Sequence, residues 1–135
     1  MSRSGYSDAW DFDNWNMIRY RGAVASAMRG KRGQQFLHDL LTAMAALPEP
    51  KLVANELETE EGAVCAIGAL GRARGVDMKK LDPEDIETVA GVFNIADCLA
   101  REVVYMNDEG SYNETPEQRF ERMRHWIEAE LYGRR

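Results

Sequence analysis

The stretch MRGKRGQQFLHDLL, Met28 to Leu41, sets Arg29, Lys31, Arg32 and two glycines immediately ahead of an apolar helical pattern. Read as a turn, it makes Gly30 the end of one helix, with cations near the negative end of that helix's dipole. Read as a clamp, its glycines let a phosphate backbone approach and its cations neutralise it. Helical patterns flank it on both sides. Upstream, Met17, Tyr20, Ala23 or Val24, Ala27 and Met28 recur at three- and four-residue intervals from Asn14 onward. Downstream, from near Gly33, Phe36, Leu37, Leu40, Leu41, Met44 and Leu47 follow the i, i+3, i+4, i+7 rule until Pro48 and Pro50 stop it. A helix, glycine, helix unit of this kind commits the chain to a mainly α architecture. The turn is the favoured of the two readings, because glycine caps and helix-end cations are common.

The 135 residues, 44% hydrophobic and 30% charged, suffice for one ordinary core and are few for two. A single helical domain over 14–135 is expected, preceded by a flexible arm, 1–13, rich in Ser, Asp and Gly, which Trp10, Phe12 or Trp15 are placed to pin. Those rings and Tyr20 are also of the type that stacks on bases, but packing is preferred, since each buries much surface. The arm has no apolar segment of signal-peptide length, and no run approaches the roughly 20 apolar residues that span a bilayer. A cytoplasmic protein with no membrane partner is expected. Cys65 and Cys98 stand far apart and read as free thiols.

Beyond Pro50, KLVANELETEEGAV alternates weakly through Leu52, Val53 and Leu57 before a turn at Glu60, Glu61 and Gly62, which predicts a small β-hairpin near 51–64. The segment VCAIGALGRARG suits either a buried strand or a closely packed helix closed by Gly75. Asp82, Pro83, Glu84 and Asp85 predict a helix start, and Asn94 a cap for the helix after it, which ends in the turn NDEG. Thr115, Pro116 and Gln118 form a capping box for a last helix striped with Phe120, Met123, Ile127 and Leu131, with Gly133 past its end. The expected fold is thus mainly α (α+β): five or six helices with a small hairpin inserted.

Charge is lopsided. From Asn14 to His38 there is no acid, and Arg19, Arg21, Arg29, Lys31 and Arg32 give +5 in a chain of net charge −6, which leaves −11 for the rest. These five residues are the candidate nucleic-acid surface. Asp108, Glu109, Glu114, Glu117 and Glu121 form an acidic strip from the NDEG turn into the last helix, the candidate surface for a protein partner. No nucleophile is placed with a base and an orienting acid, so no catalytic residues are assigned. His38 and His125 sit on polar or boundary sides of amphipathic helices and read as surface residues, and no metal ligands cluster in the sequence. No cofactor is expected.

Two resemblances bear on these patterns. Gly30-Lys31-Arg32-Gly33 resembles the GXXG loop that clamps single strands in KH domains, although the strand that should precede its first helix is missing. VCAIGALGRARG after a charged segment, VVYMNDEGSYNETPEQRFERMRHWIE, RGAVASAMRGKRGQQFL and ANELE together resemble small phage and prophage proteins of unassigned function, from about Arg21 to Leu131. That resemblance implies that the Cys65 segment is a helix, and it makes Gly68, Gly71 and Asn107 packing and turn positions. It also implies a viral origin. The resulting expectation is a non-enzymatic phage accessory protein that binds a host protein or ribonucleoprotein complex, inhibiting a host defence or regulatory system such as a CRISPR complex. A nucleic-acid-binding module built on the basic window is the alternative. Neither reading specifies an oligomeric state.

Overall fold

Gly30 alone separates the first two helices, α1 (Asn14–Arg29) and α2 (Lys31–Ala45). The computed structural model of the chain describes residues 3–6, 14–110 and 112–131. Gly33, in the first turn of α2, explains the close approach at this elbow, since a Cβ there would stand 1.8 Å from the carbonyl oxygen of Ala27. Helices α3 (Ala66–Arg74), α4 (Ile86–Phe93), α5 (Asp97–Asp108) and α6 (Pro116–Glu130) complete a helical bundle. Helix α2 packs on α1, α3 and α6, while α5 packs on α1, α3, α4 and α6. Phe36, Leu37, Leu40 and Met44 of α2 and Leu99 and Val103 of α5 share one core with Ile67, Phe93, Met123 and Ile127. This is the apolar stripe that the sequence periodicity predicts for α2.

Helix ends follow the sequence in some places and depart from it in others. The capping box of α6 forms, with Thr115 Oγ1 accepting from Gln118 N and Gln118 Oε1 from Thr115 N. Helix α3 starts at the Cys65 thiol, which accepts from Gly68 N at 3.3 Å, and closes on Gly75 at φ 72°. Helix α4 begins a turn later than expected: Asp85 caps it, while Asp82 accepts from Glu84 N in a separate turn ahead of it. Asn94 is left-handed, φ 57°, and ends α4 instead of opening α5, which starts after Ala96 without a side-chain cap.

The expected hairpin does not form. Among the described residues there is no strand, and segment 51–64 contributes one isolated antiparallel bridge, Glu58 with Val64. The weak alternation reflects two core anchors, Leu52 and Leu57, both buried, with Asn55 at φ 68° turning the chain between them. The backbone groups a ladder would pair are divided between the segment itself and other elements. Leu52 N donates to Pro116 O, Val53 N to Val64 O, and the Asn107 side chain to Val53 O. Asn107 is accordingly a buried residue of α5 and not a turn position; its Oδ1 also accepts from Ala66 N at the start of α3.

Residues 3–6, within the segment expected to be a flexible arm, lie across α5 as a strap. Arg3 and Ser4 are buried. Ser4 Oγ donates to Glu109, Arg101 donates to the Ser4 carbonyl, and the Tyr6 hydroxyl donates to Glu102 at 2.8 Å. Trp10, Phe12 and Gly133 fall outside the described residues.

Candidate functional site

The acidic strip is not a continuous solvated face. Asp108 receives Arg3 Nε at 2.6 Å and Nη2 at 2.8 Å, and both side chains are 2% exposed. Glu114, 5% exposed, accepts from Arg122 Nε at 2.6 Å and lies 3.4 Å from Arg119 Nε. The hydrogen bond from Arg122 holds the Glu114 carboxyl below the usual range against the opposing effect of burial, and the charges of Arg122 and Arg119 add to it. Glu121 is exposed and pairs with Arg124 at 2.7 Å. Glu109 and Glu117 are exposed as well. The strip therefore keeps three of its five members at the surface and turns two inward.

The basic window divides in the same way. Arg21 spans to Glu102 of α5 with bonds of 2.7 and 3.0 Å, in a network that includes Tyr6 and Tyr20. Arg19 is exposed on α1. Arg29 is exposed in the last turn of α1, where a cation suits the negative dipole end. Lys31 and Arg32 break that rule. They stand in the first turn of α2, at the positive end, with no acid in that turn and no side-chain cap at Gly30. Both are exposed and make no ion pair among the described residues. Each costs α2 roughly 0.3–1 kcal/mol relative to a neutral residue.

The KH-like loop is not formed. Lys31, Arg32 and Gly33 are helical, and Gly33 is buried against Ala27. What the elbow does form is a cleft of about 230 Å³ between the start of α2 and the start of α5. Ala27, Ile95, Ala96 and Leu99 give it an apolar side, and Ser26, Lys31 and Arg32 line it as well. Gln34 holds the neighbourhood in place by donating to Met28 O at 2.7 Å and Glu130 O at 2.9 Å, which ties the end of α6 to the elbow. The α5 side of this cleft has no sequence signal, because Ile95 and Leu99 read as ordinary core positions.

His38 and His125 are exposed, as their helix positions predict. Cys65 and Cys98 are free thiols, with Cys65 buried 3.7 Å from Arg3 Nη1. Among the described residues no group of His, Cys, Asp and Glu comes together as metal ligands, and no helix is long and apolar enough to cross a membrane. No protein-family model matches the chain, and comparison with curated proteins and with solved structures gives no match.

Proposed function

We propose that the chain is a stoichiometric binding protein that takes hold of a macromolecular partner at the α1–α2 elbow. The observation that carries this reading is the placement of Lys31 and Arg32, exposed and without an acid partner among the described residues, at the end of α2 that disfavours cations. Local rules are broken in this way where a side chain serves something outside the fold. The resemblance to phage and prophage proteins makes that partner a host protein or ribonucleoprotein complex, and makes inhibition of a host defence or regulatory system the consequence of binding. The exposed acids Glu109, Glu117 and Glu121 then serve solubility and exclude anionic competitors from the rest of the surface.

The test couples stability to binding. Lys31→Glu with Arg32→Glu should raise the urea midpoint, a gain on the order of 1 kcal/mol, because acids suit the first turn of a helix. The same double variant should lose the stoichiometric complex that the wild-type protein forms in a bacterial lysate, whereas Glu117→Gln with Glu121→Gln should keep it. A double variant that retains the complex, or a wild-type protein that forms none, overturns the reading.

A further inference from the structure

Resting on the elbow as the binding surface, we infer that the cleft between the starts of α2 and α5 takes one apolar side chain of an acidic peptide segment in a partner protein. Size comes first. At about 230 Å³ the cleft falls below the roughly 300–1,000 Å³ of pockets that enclose whole small molecules, and it matches a single anchoring side chain. Its chemistry agrees in part: Ile95, Leu99 and the methyl groups of Ala27 and Ala96 form an apolar wall, with Ser26 the one uncharged polar side chain beside it among the described residues. Anchors of this kind carry most of the affinity of protein interfaces.

The surroundings of the cleft select acidic flanks. Lys31 and Arg32 border it, and Arg29 is exposed one residue before the elbow. Both helices that open on it lack a side-chain cap, at Gly30 and at Ala96, although the Leu99 N–H of α5 is already bonded to Ala96 O. Asp97, the acid in the first turn of α5, is not among the residues lining the cleft. Nucleic acid fits less well. Among the described residues no aromatic ring lines the cleft for a base to stack on.

A random-peptide display selection against the purified full chain, counter-selected with the Lys31→Glu/Arg32→Glu variant, tests this directly. The enriched peptides should carry one apolar residue between acids. A labelled consensus peptide should bind about tenfold more weakly to Ala96→Met, which fills the cleft, and to Lys31→Glu alone, with unfolding midpoints confirming that both variants fold. No consensus, a consensus without acids, or equal binding to Ala96→Met would overturn the inference. So would a single-stranded DNA of matched charge that competes as strongly as the peptide itself. If Ala96→Met keeps the lysate complex that Lys31→Glu/Arg32→Glu loses, the elbow stands as the binding surface and only the cleft falls.

Discussion

Asp108 and Glu114 carry negative charge in the sequence, yet guanidinium groups from other parts of the fold have claimed both. For Glu114 this has a pH signature. Its folded-state pKa lies below that of an unfolded glutamate, near 4.3, so it stabilises the fold above that value and loses this contribution as pH falls through the lower folded value. Urea midpoints of the wild-type protein and Glu114→Gln should therefore differ at neutral pH and converge in acid, once pH has fallen below the lowered folded-state value. A gap that persists at low pH would mean that shape, and not charge, holds the site. The Arg122 pair has a faint trace in the sequence, since the acid stands just ahead of a helix and the base lies on it. The Arg3 pair has none. Its partners are 105 residues apart, and no local periodicity joins residues across that distance.

Helices show the same division between near and far information. Helix α6 was readable because its capping box and its stripe are both local, and α1 and α2 because the stripe of each stops at the elbow. Segment 51–64 misled because two buried leucines set apart by a turn resemble strand alternation, and only the packing of Asn107 and Pro116 shows where its backbone bonds go. Asp82 and Asn94 are each good capping residues, and the fold gives them other roles: Asp82 closes a turn ahead of α4, and Asn94 ends α4 rather than opening α5. At the elbow the two glycines are unequal. Gly30 has φ −65°, and a Cβ added there would meet nothing closer than 3.5 Å, so Gly30→Ala should change stability by less than about 0.5 kcal/mol. Gly33→Ala drives a methyl into the Ala27 carbonyl and should cost about 1–3 kcal/mol in chemical denaturation. Equal effects at the two positions would refute this account of how α2 sits on α1.

The bundle as a whole is closed by its first described residues. Arg3 joins Asp108 and the Cys65 thiol, Ser4 joins Glu109 and Arg101, and Tyr6 joins Glu102, so the strap binds the start of the chain to α5 and its end. Arg3→Ala leaves a buried carboxylate without its cation and should cost about 3–5 kcal/mol. In stopped-flow measurements that loss should fall on the unfolding rate and leave the folding rate nearly unchanged. The reason is topological: closing so long a loop is favourable only after the helices between its ends have already condensed. A variant that mainly slowed folding would place the strap in the nucleus and contradict this order. For a chain made from its N-terminus, the consequence concerns synthesis. Arg3 leaves the ribosome 105 residues ahead of its partner Asp108. The strap is thus made well before the elements it closes over, and until it docks the Cys65 thiol lacks its guanidinium neighbour.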